Sequence, residues 1–171
     1  MTPACAPVRL AIAQIAMHWT LADNVRVMKA ALHIARREGA ALCAFSELAL
    51  TGFHRRIVEW ARPEVSQPAL AEVQAEARAL GVAAVLGAPT YRSDGARLNS
   101  HLFIDPDGAV AGTVSKIGLT EPEATFFAPG IERPVVPLLG RRCTAVLCRE
   151  IEDLDTVVPE LAPARPEWIF W

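Results

Sequence analysis

With 171 residues the chain has the length of one domain able to bury about 70% of its unfolded surface, and a net charge of −2 leaves no basic face for nucleic acid or an acidic membrane. Hydrophobic residues make up 52% and charged residues 21%, a balance that excludes a disordered or low-complexity chain. The longest apolar stretches, such as 82–86 and 168–171, fall far short of the roughly 20 residues that cross a bilayer, and the run 8–17 is broken by Gln14 and lacks a small-residue cleavage site, so the expected compartment is the cytoplasm, with no membrane partner.

Residues 8–15 are apolar and β-branched and read as a buried strand. Over 22–38, Val25, Met28, Leu32 and Ala35 recur at helical spacing, with Thr20 or Asp23 as the start signal and Gly39 as the stop. A second apolar run, 41–45, precedes Ser46-Glu47. Ser66 reads as the opening of a helix with Pro68 in its first turn, with Leu70, Val73, Ala77 and Leu80 on one face and Gly81 closing it, and 82–86 follows as a third buried strand. Residues 99–104 and 109–115 flank Asp105-Pro106-Asp107-Gly108, which predicts a β-hairpin. A loop with a short helix around 120–127 ends at Pro129-Gly130. Strands at 135–139 and 144–147, a helix at 155–161 and a strand beginning at 168 complete an α/β layer fold with a mixed sheet, read as a single domain over 1–171. The chain stops inside an apolar aromatic run that natural proteins normally blunt. The expectation is a fragment, or a sheet completed by a partner, prone to associate.

Cys5, Cys43, Cys143 and Cys148 form no Cys-x-x-Cys pair and His18, His33, His54 and His101 are scattered, so no metal-ligand set is expected. Cys5, Cys43 and Cys143 read as buried apolar side chains. Three reactive side chains fall just beyond three predicted strands: Glu47, Lys116 and Cys148. Strand ends in α/β sheets are where loops from distant positions converge on a site. A free thiol with a pKa of about 8.5 is only slightly ionised at neutral pH, so a nucleophilic cysteine needs a base or a nearby cation. Glu47 suits the first task and Lys116 the second, against the plain alternative that each is a solvated or ion-paired surface residue.

The strings around these residues carry more. Glu47 lies in Ser46-Glu47-Leu48-Ala49-Leu50-Thr51-Gly52-Phe53, Lys116 in Val114-Ser115-Lys116-Ile117-Gly118-Leu119, and Cys148 in Val146-Leu147-Cys148-Arg149-Glu150. With the opening Val8-Arg9-Leu10-Ala11-Ile12-Ala13-Gln14, Asn24, Asn99-Ser100 and Phe126-Phe127-Ala128-Pro129-Gly130, the chain resembles the carbon–nitrogen hydrolase family, or nitrilase superfamily, over nearly its whole length. The resemblance implies an α-β-β-α sandwich of the nitrilase type with mixed sheets. It also implies hydrolysis of a non-peptide C–N bond in a small amide, N-carbamoyl compound or nitrile, amide favoured, through a cysteine thioester. Carried over, Glu47 is the general base, Lys116 the catalytic lysine and Cys148 the nucleophile. Glu123, with Glu121 as runner-up, is the family's second glutamate. Lys116 and the backbone N–H of Arg149 would hold the oxyanion. No cofactor or metal is implied, and a homodimer or larger homo-oligomer is. The family usually has Pro where Ser46 stands, His where Gly118 stands, and Tyr-Asp or Trp-Asp where Arg149-Glu150 stands. Its members continue beyond the strand that 168–171 resembles, so the chain reads as the N-terminal portion of the fold.

A catalytically silent member acting as a binding or assembly module is the alternative from a different class. A Cys-His hydrolase using His54 or His101 is a further one, although neither histidine lies in a string that favours it. No Gly-rich phosphate loop occurs. Arg36-Arg37 and Arg141-Arg142 read as solvated ends of a helix and a strand, and Trp60 as a packing residue.

Overall fold

The structure, a computed structural model, describes residues 7–171; Cys5 lies outside them. Strand β1 (Leu10–Ala13), helix α1 (Leu21–Arg37), β2 (Leu42–Phe45), helices α2 (Ile57–Trp60) and α3 (Pro63–Leu80), and strands β3 (Ala83–Tyr91), β4 (Arg97–Ile104) and β5 (Val110–Ser115) come first. The strands form one sheet in sequence order, parallel from β1 to β3 and antiparallel from β3 to β5. Helical crossovers impose the parallel pairings, and tight turns impose the antiparallel ones. The expected hairpin turn is closed by Gly108 N–H to Asp105 C=O and Asp105 N–H to Ala109 C=O.

The period of two decides which side chains meet which layer. Cys43, Phe45, Ala84, Leu86, Leu102 and Ile104 face α1 and α3, where Met28, Leu32, Val73 and Ala77 complete a core. Leu42, Ala83, Val85, Phe103 and Val114 face the other way, onto a smaller sheet of β6 (Val136–Leu138), β7 (Arg141–Ala145) and β8 (Trp168–Phe170). Helix α5 (Leu154–Leu161) makes the crossover between parallel β7 and β8, and its Val157 and Leu161 cover Val146 on the outer face. The layers therefore run α-β-β-α with two mixed sheets, the order expected from the sequence. No helix among the described residues is long and apolar enough to cross a membrane.

Four local readings are corrected. The first strand is an edge strand and not buried: Ala11 and Ala13 pack on the helical side, but Leu10 is 40% and Ile12 86% exposed. These two line an open cleft of about 610 Å³ with Ala44, His101, Trp168 and Phe170, between the edges of the two sheets. Helix α3 opens at Pro63, whose fixed φ suits a first turn, which leaves Pro68 inside the helix. Ser66 is not its cap, because its hydroxyl bonds Arg62 C=O at 3.0 Å and the Tyr91 hydroxyl at 2.7 Å. Strand β7 begins at Arg141, in register with Leu138. Arg141 and Arg142 are accordingly not merely solvated: Arg141 pairs with Glu167 at 3.2 Å, and the Arg142 side chain donates to Arg165 C=O.

Phe103 is fully buried between the sheets, edge-on to Phe170 at 5.7 Å between ring centroids. Phe103→Ala should lower unfolding free energy by about 3–5 kcal/mol, read from urea titrations followed by circular dichroism.

Candidate active site

Each candidate side chain is fixed by a local device. Glu47 lies in the turn that leaves β2, where Ala49 N–H bonds Ser46 C=O and Leu50 N–H reaches across to Gly87 C=O at 3.1 Å. That turn lies directly on β3: a Cβ on Gly87 would fall 2.2 Å from the Leu48 nitrogen, so only glycine admits it. Lys116 continues from β5, its N–H on Asn99 C=O at 2.8 Å and its C=O accepting from Gly130 N–H at 2.7 Å. The Pro129-Gly130 segment thus clamps the lysine backbone. Glu123 lies on the one-turn helix α4 (Glu121–Ala124), where its Oε2 accepts from the N–H and hydroxyl of Thr120, each at 2.8 Å. Cys148 opens a 3-10 turn (Cys148–Glu152) with φ of 50°. For a residue with a Cβ that left-handed conformation costs about 1–2 kcal/mol.

These devices converge at one end of the larger sheet. Lys116 Nζ donates to Glu123 Oε1 at 2.7 Å and to Glu47 Oε1 at 2.9 Å, and its side chain is fully buried. Asn99, at the start of β4, bridges the same two carboxylates through Nδ2, at 2.6 Å to Glu47 Oε1 and 3.4 Å to Glu123 Oε1. Two carboxylates thus share one ammonium and one amide. Burial works against the charge on Lys116, but the hydrogen bonds to Glu123 and Glu47 outweigh it and hold its pKa above the ordinary value. Burial likewise opposes ionisation of Glu123, and Lys116 with Thr120 reverses it, so its pKa is lowered.

Cys148 stands close enough to Glu47 and Lys116 for both charges to act on its thiol. Partial burial of the sulfur, then the negative charge of Glu47, push the thiol above its ordinary value; Lys116 and the Arg149 N–H pull the other way and lose. The resting sulfur at neutral pH is a thiol beside a carboxylate, not a preformed thiolate. Cys43 and Cys143 are buried, which pushes them up to about 12 and about 11.

Glu47, Lys116, Glu123 and Cys148 therefore come together. Arg149 as a residue is exposed, and its backbone N–H acts to favour the thiolate. Glu121 is also exposed, on the solvent side of α4. His54 stacks on Trp19 with ring centroids 4.7 Å apart, and buried His101 is pulled down to about 4 by desolvation; among the described residues neither hydrogen-bonds to Cys148. No group of three or more potential metal ligands occurs among the described residues. Three contributors were given no role from sequence: Asn99 and Glu150, which entered only as parts of the resembling strings, and Arg133, whose closest contact with Glu150 is 3.0 Å. The signal for Glu150 was an acidic residue two positions after the cysteine, where the resembling family carries Asp.

The carbon–nitrogen hydrolase family model matches residues 9–152. A mutant of the Nesterenkonia AN1 amidase from the nitrilase superfamily superposes with a TM-score of 0.84 at 24% identity, over 95% of this chain and 63% of its own. Another mutant of that amidase shows covalent addition of the acetamide moiety of fluoroacetamide at the active-site cysteine. The glutamine-dependent NAD+ synthetase of Acinetobacter baumannii gives a TM-score of 0.81 at 25% identity, over 94% of this chain and 31% of its own. The glutamine-dependent NAD(+) synthetase of Acinetobacter baylyi is 25% identical over 154 residues, 87% of this chain and 28% of the relative. The chain thus spans less than two thirds of the amidase and less than a third of the synthetases.

Brief iodoacetamide treatment followed by peptide mapping should label Cys148 well before Cys43 and Cys143, because Cys148 is exposed and the other two are buried. Glu47→Gln removes an anion that disfavours the thiolate, so the pH midpoint of Cys148 alkylation should move to lower pH. An unchanged midpoint would separate Glu47 from the sulfur.

Proposed function

The chain belongs to the carbon–nitrogen hydrolase family, and from that premise we propose that it cleaves the C–N bond of a small amide through a thioester on Cys148. The observation that carries this reading is that Glu47, whose negative charge acts on the Cys148 thiol, shares the buried Lys116 ammonium with Glu123 at 2.9 and 2.7 Å. Glu47 takes the thiol proton as sulfur attacks the carbonyl carbon, and returns it to nitrogen as the C–N bond breaks and ammonia or an amine departs. Water then attacks the thioester while Glu47 accepts its proton; the carboxylic acid product leaves and the proton returns to sulfur. One carboxylate serves both halves because the thiol is protonated at rest.

An ammonium has three donors, and Lys116 directs two of them to Glu47 and Glu123. The third, with the Arg149 N–H, suits the oxygen that becomes negative in the tetrahedral intermediate. A fixed donor of this kind contributes about 2.7–4 kcal/mol in a site that excludes water. Glu123 keeps Lys116 charged and in place. That the similar Nesterenkonia protein is an amidase supports amide over nitrile.

Ammonia release from short aliphatic amides tests the reading. Cys148→Ala should abolish turnover, and Lys116→Ala should lower it by about 100- to 1,000-fold while circular dichroism stays unchanged. Fluoroacetamide with Glu47→Gln should leave the mass of one acetamide moiety on Cys148. Labelling of Cys148 with no ammonia from any amide would favour the silent binding module.

A further inference from the structure

We propose that Glu150, clamped by Arg133, is the positioning residue that sets the Cys148 turn against the Lys116 loop; this rests on Cys148 and Lys116 carrying the chemistry. The Glu150 carboxylate lies where loops from the two sheets meet. Its Oε1 accepts from Ile117 N–H at 2.7 Å and Gly118 N–H at 3.0 Å, and its Oε2 from Leu147 N–H at 2.7 Å. Ile117 follows Lys116 and Leu147 precedes Cys148, so one side chain holds the backbone immediately beside both.

Arg133 makes this possible. Its Nη1 and Nη2 each donate to Glu150 at 3.0 Å, and Nη1 also donates to Ala145 C=O at 2.7 Å. Its Nε reaches Glu160 at 3.2 Å. Both the Arg133 and Glu150 side chains are 2% exposed. Burying two charges is tolerable only where hydrogen bonds satisfy both, as they do here. Burial opposes the Glu150 charge, but Arg133 and the N–H groups of Gly118, Leu147 and Ile117 prevail and lower its pKa, so it is a carboxylate at neutral pH.

Two observations tie this cluster to the cysteine. Leu147 N–H on Glu150 Oε2 and Glu150 N–H on Leu147 C=O, at 3.1 Å, close a ring around the left-handed backbone of Cys148. A strained backbone of that kind persists only where its surroundings over-determine it. Gly118 supplies the second: a Cβ there would stand 3.2 Å from Glu150 Cγ, and glycine lets the carboxylate come under the Lys116 loop. The glycine at 118, the glutamate at 150 and the arginine at 133 are one device.

The test uses the whole 171-residue chain and the pH midpoint of Cys148 alkylation by iodoacetamide, with peptide mapping, in wild type, E47Q, E150Q and E47Q/E150Q. The charged groups acting on the sulfur are Glu47 and Lys116, and Glu150 faces Arg133. Glutamine at 150 cannot accept from Leu147, Ile117, Gly118 and Arg133 at once, so the turn should relax and the thiol leave Glu47. The midpoint of E150Q should move toward that of free cysteine, and the shift caused by E47Q should be largely lost in the E150Q background. A merely structural pair would lower the melting temperature and leave both quantities unchanged; that result overturns the proposal. No E47Q shift in wild type would instead overturn the catalytic reading itself. Circular dichroism checks folding, and if E150Q fails to fold, Gly118→Ala perturbs the same contact from the other side. That variant should reproduce the loss of the E47Q shift in part, and retention of the full shift would sink the proposal.

Discussion

A buried ammonium has to be paired, and the site is organised around satisfying Lys116. Its Nζ has no solvent to fall back on, so its charge exists only because Glu47 and Glu123 lie within 2.9 and 2.7 Å. Those carboxylates would repel each other if unbridged; the ammonium and the Asn99 amide between them remove the conflict. From this follow the clamp at Pro129-Gly130, the cap that aims Glu123 from α4, and the close approach of the Glu47 turn to Gly87. Each fixes a backbone so that a charge need not be solvated.

The thiol is governed by the balance this arrangement leaves over. Lys116 favours a thiolate, but it is already committed to two anions, and partial burial and then the charge of Glu47 outweigh it at the sulfur. A cation placed beside a cysteine is therefore no guarantee of an ionised nucleophile; its other partners decide. The combination suits a base that moves the proton during the attack.

Much of this was legible in the sequence, for reasons that differ by residue. Strand-end positions picked out Glu47, Lys116 and Cys148, and the local strings picked out Glu123 over Glu121, which the fold turns to solvent. Element types followed from periodicity, since Val25, Met28 and Leu32 mark one helix face and 99–115 a hairpin. Edges did not: nothing in residues 8–15 reports that a strand has a neighbour on one side only, so Leu10 and Ile12 looked like core. Asn99 and Glu150 were visible only as members of the resembling strings and Arg133 not at all, because what they do depends on partners as far as 52 residues away in the chain, brought close only by the fold.

The wide spacing of the cluster also bears on when it can form. Glu47 and Lys116 are separated by 69 residues, whereas the β3–β4 and β4–β5 turns join near neighbours in the chain. Loop-closure entropy favours the antiparallel hairpins first and the parallel crossovers later. A carboxylate, an ammonium and a thiol contributed by both sheets can meet only after those sheets have docked. Their proximity is thus a late event in the chain's self-assembly, and partly folded molecules hold the same residues without the cluster they make together.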